Sequence, residues 1–285
     1  MTLLEGTTKM TQHTVLTLQR QKQNGERITM LTAYDYTMAR LLDVAGVDML
    51  LVGDSLGMVM LGYADTLSVT MEDMIHHSRA VARGTTQAMV VTDMPFMSYQ
   101  VSVAEAVRNA GRLVQEGRAQ AVKLEGGASF CPHISAITQA SIPVVAHLGL
   151  TPQSLHAQGG YHVQGREAQQ AQTLLDDARA VQQAGAFALV LECVPAPLAA
   201  KITQTLDIPV IGIGAGQDCD GQVLVAQDML GMFADIRPRF VRRFAEAGAL
   251  VRGAAADYCR AVKSREFPAE EHSWDMDSAV VKNLY

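Results

Sequence analysis

The sequence predicts a (β/α)₈ barrel, a ring of parallel strands sheathed by helices. Three observations carry this reading. Short runs of β-branched and aliphatic residues recur along the chain, each closing on a polar residue or a glycine. Segments of helical periodicity separate them. The strand-like runs are apolar at nearly every position, the pattern of strands covered on both faces, and such alternation builds a parallel sheet. A length of 285 residues suits one barrel. An open doubly wound sheet is the structural alternative.

Taken in order, residues 1–26 read as a polar extension followed by a short helix that caps the barrel floor. Strands are expected at 28–34 (ITMLTAY), 48–54 (DMLLVGD), 88–93 (AMVVTD), 121–125 (AVKLE), 143–148 (PVVAHL), 188–193 (ALVLEC) and 209–214 (PVIGIG). Helices are expected at 36–46, 71–83, 102–117, 133–140, 166–184 and 196–206. Ile142-Pro143 and Ile208-Pro209 open two strands, where proline costs no ladder donor. Ala45-Gly46 and Ala184-Gly185 close helices in the manner of left-handed caps. A weaker eighth strand is expected within 228–236, and 238–264 reads as a helix that completes the ring. No internal repeat or domain boundary is visible. The expectation is one domain over 1–285, with flexible ends at 1–12 and 275–285.

Composition narrows the function classes. Hydrophobic residues make up 48% of the chain, enough for a large core. The net charge is −6 and no basic stripe exists, so nucleic acid is not an expected partner. Cys131, Cys193, Cys219 and Cys259 are scattered with no C-x-x-C pair, which signals neither a zinc site nor a disulfide framework. Free thiols fit a reducing cytoplasm. Neither a secretory signal nor a membrane span is expected.

Position then points to chemistry. Active sites of parallel barrels form at the C-terminal ends of the strands. Those ends carry Tyr34-Asp35, Asp54-Ser55, Asp93, Lys123 with Glu125, His147 and Glu192. Strand alternation puts Leu50, Val52 and Asp54 on one face, as it does Val91 with Asp93, Ala121 with Lys123 and Glu125, and Val190 with Glu192. If those faces point inward, Asp54, Asp93 and Glu125 converge, with Lys123 about 7 Å below Glu125. Carboxylates crowded together raise one another's pKa and call for cations. Lys123 supplies one charge, and Mg²⁺, which favours oxygen ligands, is the natural second. Asp54 and Asp93 are the candidate direct ligands; Glu125 binds directly or through water. Capping of the following helices is the competing explanation for each single Asp.

Glu192 ends a strongly apolar strand. Two readings stand: a general base with a pKa raised by burial, or a buried acid paired with an arginine such as Arg166. Cys193 faces the other way and reads as a packing residue. His147 reads as a hydrogen-bond donor to substrate or as a structural histidine. His76 and His77 lack a metal-binding spacing. The stretch 157–165 (AQGGYHVQG) reads as a flap over the barrel mouth. GIGAG at 212–216 admits phosphate binding and close helix–strand packing equally.

Beyond these readings, TAYDY (32–36), LLVGDSLG (50–57), DMPF (93–96), VKLEGG (122–127), HLGLTPQS (147–154), GGYHVQGR (159–166), LVLECVP (189–195), PVIGIGAG (209–216), DGQVLV (220–225) and EEHSW (270–274) occur in order over about 14–274. Together they resemble the ketopantoate hydroxymethyltransferase family. The resemblance implies transfer of a hydroxymethyl group from 5,10-methylenetetrahydrofolate to 3-methyl-2-oxobutanoate, giving 2-dehydropantoate in pantothenate biosynthesis. It implies that Asp54 and Asp93 bind Mg²⁺ with Glu125 as the third acidic group. It further implies that Ser55, Asp93 and Lys123 contact substrate, that Glu192 is the base, and that the protein is a cytoplasmic homodecamer. His162 departs from the family's flap lysine, RPRFVRR (237–243) has Arg where Lys is expected, and both chain ends extend beyond the pattern. Rival readings are a Schiff-base aldolase using Lys123, a metal-dependent lyase acting on another 2-oxo acid, and a non-catalytic ring-forming metabolite-binding protein.

Overall fold

The computed structural model describes residues 12–233, 238–282 and 284. Its strands are β1 (Ile28–Thr32), β2 (Met49–Val52), β3 (Met89–Asp93), β4 (Ala121–Glu125), β5 (Val144–Gly149), β6 (Ala188–Glu192), β7 (Val210–Ile213) and β8 (Gly221–Leu224). All neighbours pair in parallel and β8 closes on β1, from Ile28 opposite Gly221 to Leu31 opposite Leu224. The sheet is therefore a closed (β/α)₈ barrel rather than an open doubly wound one. The longer helices are α1 (Val15–Asn24), α2 (Tyr36–Val44), α3 (Met71–Gly84), α4 (Val103–Gln115), α5 (Cys131–Gln139), α6 (Ala168–Gln183), α7 (Ala196–Thr205) and α8 (Ala247–Ser264).

Contacts gather the chain into two compact units, Met1–Ala226 with Pro238–Val241, and Gln227–Arg237 with Arg242–Tyr285. The first contains the whole barrel. The second contains α8, none of whose residues is buried, and a helical turn at Ser278–Lys282. The helix expected over 238–264 thus begins only at Ala247 and belongs to this second unit. The expected flexible segment 1–12 lies, except for Gln12, outside the described residues.

Two apolar layers follow from strand alternation. Met30, Met49, Leu51, Met89, Val91, Val145, Val190 and Ile211 fill the barrel interior. Leu50, Val52, Val90, Val122, Leu124, Val144, Leu189 and Leu191 meet the helices outside. Each such side chain contributes about 1.5–3 kcal/mol when fully buried. Proline 143 and Pro209 precede their strands and serve the ladder as acceptors only, from Val122 N–H (3.0 Å) and Leu189 N–H (2.9 Å). Gly46 (φ 84°) and Gly185 (φ 105°) are left-handed as expected.

The floor is closed by α1. Thr14 and Thr17 form a reciprocal capping box at its start, and Gly25 (φ 73°) ends it. Leu18 is fully buried among the interior side chains, with Val15 packed beside it. Lys22 fixes the helix to the entry of β8 through Asp220 (2.7 Å), and Gln21 binds Asp48 before β2 (3.0 Å).

The eighth strand is not within 228–236. It is Gly221–Leu224, and residues Ala226–Met229 form a helical turn; positions 234–237 lie outside the described residues. The strand is short, opens Gly-Gln, and alternates buried with less buried positions, so it lacks the continuous apolar signature of its neighbours. Gly221 is needed there because a Cβ would run into the Ile28 carbonyl oxygen on β1.

Asp43 is the buried polar anchor of the outer layer, at 2% exposure. Its carboxylate accepts from Thr86 N–H (3.0 Å), Thr86 Oγ1–H (2.7 Å), Gln87 N–H (2.9 Å) and Ala88 N–H (2.8 Å), tying α2 to the approach to β3. Burial opposes ionisation, but these four donors outweigh it and hold the pKa below the usual value. Its stabilisation is therefore present above the unfolded-state pKa and lost as pH falls through the folded-state one. Asp43→Ala leaves three backbone donors unsatisfied and should cost about 3–5 kcal/mol. Urea unfolding at pH 7 measures this; a loss under 1 kcal/mol would show that water replaces the carboxylate.

Candidate active site

The site forms where the strand ends stop being apolar. Asp93, Lys123, Glu125, His147 and Glu192 stand on the inward face of β3 to β6, in register across neighbouring strands: Asp93 opposite Lys123, and Glu125 opposite His147. Lys123 Nζ pairs with Asp93 Oδ1 at 3.0 Å and lies 3.3 Å from His147 Nδ1. His147 Nδ1 is also 3.3 Å from Glu125 Oε1, and its Nε2 is 3.3 Å from Glu192 Oε2. The imidazole bridges two carboxylates. Glu192 thus has a histidine partner rather than the arginine considered from sequence.

Asp54 arrives by another route. The inward face of β2 is Met49 and Leu51, whereas Leu50 and Val52 pack outward, opposite to the expectation for this strand. Alternation fails to place Asp54 because β2 ends at Val52 and the chain turns at Gly53. The turn brings Asp54 N–H onto Asp93 Oδ2 (3.1 Å). A Cβ on Gly53 would lie 2.9 Å from Ser55 Oγ and 3.5 Å from Asp93 Oδ2, so the missing side chain leaves this corner open. Ser55 Oγ hydrogen-bonds the buried Tyr34 hydroxyl at 2.8 Å.

Capping explains one of the acids and not the others. Asp35 is the N-cap of α2, accepting from Met38 N–H at 2.8 Å. Asp54 and Asp93 cap no helix; both are buried among the other acids.

The electrostatics follow from that burial. Asp54 is pushed up to about 8 by desolvation, then by the Asp93 and Glu125 charges, against Lys123 and a Gln153 hydrogen bond. Desolvation raises Asp93 as well, although Lys123 and the Asp54 N–H oppose it. Burial alone would lower Lys123, but Asp93, Glu125 and Asp54 outweigh it and raise its pKa. For His147, burial and the Lys123 charge push down, yet Glu125 and Glu192 bring it to about 9. With all four acids Asp54, Asp93, Glu125 and Glu192 ionised and both Lys123 and His147 protonated, the cluster would carry two excess negative charges, and the raised pKa of Asp54 and Asp93 reflects burial together with that crowding. A hard divalent ion suits that excess and that all-oxygen donor set. Among the described residues no three His, Cys, Asp or Glu side chains form a ready-made metal cluster. Such ions commonly take one or two protein carboxylates, with water and substrate oxygens as the remaining ligands. Asp54 and Asp93 fit as direct ligands. Glu125 accepts from Gln153 N–H (3.0 Å) through Oε2 and faces His147 through Oε1, and Asp93 is engaged in the same way by Asp54 N–H and Lys123, so these contacts leave Glu125 a direct or a water-mediated place.

Residues 12–270 match the family model for ketopantoate hydroxymethyltransferase. The chain belongs to the ketopantoate hydroxymethyltransferase family. It is 59% identical over 273 residues to a 3-methyl-2-oxobutanoate hydroxymethyltransferase of Clostridium novyi (strain NT), covering 96% of this chain and 99% of the relative. It is 56% identical to one from Enterococcus faecalis (strain ATCC 700802 / V583), with the same coverage. Among solved structures, phosphoenolpyruvate phosphomutase from Streptomyces platensis subsp. rosaceus superposes with a TM-score of 0.60 at 17% identity, over 95% of this chain and 94% of that one. Phosphonopyruvate hydrolase in complex with oxalate and Mg²⁺ superposes at 0.59 and 14% identity, over 94% and 93%. These two likenesses concern the fold alone.

Several positions were not visible as site residues in the sequence. Gln153, in the loop after β5, donates through Nε2 to Asp54 Oδ2 (2.9 Å) and is buried. Tyr99 lies beneath Glu125, its hydroxyl accepting from Glu125 N–H (3.1 Å). The only signals were membership of HLGLTPQS for Gln153 and the position of both in loops at the C-terminal rim. The flap's Tyr161 has its phenol raised by burial and then by Asp65, Glu192 and Asp54, which puts it in the field of the site acids. Gln164 N–H binds the Cys193 carbonyl at 2.9 Å. Cys193 itself is half-buried, with its thiol pushed up to about 11 by burial and then Glu192, as suits a packing residue. In GIGAG, Gly214 (φ 62°) and Gly216 (φ 84°) are left-handed, and side chains there would strike Phe240 (2.8 Å) and Ala196 (2.5 Å).

Gly149 deserves a test because it backs Glu192 across the β5–β6 ladder. Its φ is 95°, and a Cβ would clash with the Glu192 carbonyl oxygen, which accepts from Leu150 N–H (2.8 Å). Gly149→Ala should cost about 1–3 kcal/mol in backbone strain. Displacing the Glu192 backbone should lower kcat by roughly 10²-fold. Denaturation with steady-state kinetics checks both; wild-type kcat would show that Glu192 is not held through this contact.

Proposed function

We propose that this chain transfers a hydroxymethyl group from 5,10-methylenetetrahydrofolate to 3-methyl-2-oxobutanoate, giving 2-dehydropantoate for pantothenate synthesis. The observation that carries the mechanism is a division of labour among carboxylates. Asp54, Asp93 and Glu125 are sealed in with Lys123, while Glu192, 17% exposed, stands nearer the opening and is held by His147. The family relatives share the reaction's name and match nearly the whole chain.

In this reading Asp54 and Asp93 would hold Mg²⁺, with Glu125 as the third acidic group beside it. When bound, the ion supplies a Lewis acid for the carboxylate and keto oxygens of the 2-oxo acid. Ser55, oriented by Tyr34, hydrogen-bonds the substrate. Glu192 takes the C3 proton. Lys123, kept protonated by its carboxylate neighbours, faces the negative charge that develops on the substrate. His147 has its Nε2 near Glu192 and its Nδ1 near Glu125 and Lys123, so it steadies Glu192 from within the buried cluster. Water would add to the folate-borne methylene and tetrahydrofolate would leave as both C–N bonds break, giving a one-carbon unit at the formaldehyde level; deprotonated C3 would then form the new C–C bond to it, and the resulting alkoxide would take a proton to become the hydroxymethyl group.

The Schiff-base alternative asks Lys123 to be a neutral amine, which requires a lowered pKa. Its surroundings do the opposite. Cytoplasmic residence and a homodecamer of barrels complete the proposal. They rest on the family resemblance and on free, scattered cysteines. No helix among the described residues is long and apolar enough to cross a membrane.

The deciding experiment is proton NMR of 3-methyl-2-oxobutanoate in D₂O with the protein, with Mg²⁺ or EDTA. Mg²⁺-dependent loss of the C3 proton signal is expected, and Glu192→Gln should slow it by about 10²–10⁴-fold while substrate still binds. Unchanged exchange in that variant would remove Glu192 from the role of base. No exchange in the wild type, even with tetrahydrofolate added, would favour a non-catalytic binding protein. Separately, Asp54→Asn with Asp93→Asn should weaken Mg²⁺ binding by roughly 100-fold or more in calorimetry. Wild-type affinity there would refute the ligand assignment.

A further inference from the structure

We infer that Gln153 is a positioning residue that presents Asp54 and Glu125 to a divalent cation without ligating it. The inference rests on the cation reading above and adds a residue that it does not use.

Gln153 lies outside every strand, in the loop after β5, yet it is only 6% exposed. A buried amide has two donors and acceptor capacity that must be satisfied. Here all of them are. Nε2 donates to Asp54 Oδ2 and to the Met94 carbonyl, each at 2.9 Å. Oε1 accepts from the Tyr99 hydroxyl at 2.8 Å and from Gln100 Nε2 at 3.1 Å. The orientation of the amide is fixed by chemistry: reversed, it would aim its oxygen at the Met94 carbonyl, which can only accept.

The same residue also reaches Glu125. Its backbone N–H donates to Glu125 Oε2 at 3.0 Å. Tyr99 completes a circuit, since its oxygen accepts from Glu125 N–H while its proton goes to Gln153 Oε1. One residue thereby ties the rims of β2, β3 and β4 together and fixes one oxygen of each of two acids. That bond engages Asp54 through Oδ2 and makes no demand on its second oxygen. A carboxylate free to rotate would lose that fixed orientation, and supporting hydrogen bonds of this kind tune ligand affinity.

The test uses Mn²⁺ binding to the full chain, followed by the electron paramagnetic resonance signal of free hexaaqua Mn²⁺. Wild type, Gln153→Met and Asp54→Asn are compared, with far-UV circular dichroism and melting curves as checks on folding. Methionine keeps the length of the side chain but removes both donors and the acceptor. Gln153→Met is expected to fold and to weaken Mn²⁺ about 10–100-fold. If Gln153→Met binds within about twofold of wild type while Asp54→Asn is weakened, the positioning role is overturned and the cation reading stands. If Asp54→Asn binds like wild type, the cation reading fails and takes this inference with it. Where Gln153→Met does not fold, Tyr99→Phe decides: it keeps the amide but removes the hydroxyl that orients it. Roughly tenfold weaker binding supports the inference, and unchanged binding overturns it.

Discussion

The ion pair of Lys123 with Asp93, buried at 3.0 Å within a ring of further acids, is the interaction around which the rim is built. A buried ammonium is costly alone, and so are neighbouring carboxylates. Together they hold one another in place, and the residual negative charge defines what the pocket can accept. The surrounding carboxylates keep Lys123 protonated, burial and then the Asp93 and Glu125 charges push Asp54 up to about 8, and His147 is drawn toward its charged form between Glu125 and Glu192. An excess of buried carboxylates favours a cation over a neutral ligand.

Holding such a cluster requires a rigid frame. The closed ladder fixes strand register, so Asp93 must sit beside Lys123 and Glu125 beside His147. Apolar side chains below the acids, from Leu18 on α1 up through Met30, Val91 and Val145, exclude water from the floor. Where the ladder stops, glycines take over. Gly53 gives the β2 turn space to bring in Asp54, and Gly149 lets the β5 backbone approach Glu192. The barrel supplies positions, and its rim loops supply the departures from strand geometry that the chemistry needs.

Those departures mark the limit of reading by periodicity. For β3, β4 and β6 alternation placed Asp93, Lys123, Glu125 and Glu192 on the inward face, because these residues lie within their strands. For β2 it chose the wrong face, since Asp54 lies two residues beyond the last paired position. The eighth strand escaped because a four-residue Gly-Gln-Val-Leu segment has no continuous apolar run. Asp35 looked like its acidic neighbours in sequence and proved to be a helix cap.

The sequence by itself determined the barrel class, seven of its strands, the capping helix α1 and the family, because these depend on local apolar patterning and on motifs that survive as linear strings. It also named the acids of the rim. The tertiary structure decided their partners: that His147 bridges Glu125 and Glu192, that Gln153 spans Asp54 and Glu125, and that α8 belongs to a second compact unit. The physical reason is range. Gln153 and Asp54 are 99 residues apart in the chain. A hydrogen bond between them, and the pKa that it tunes, exist only once the barrel has closed and brought their loops to one rim.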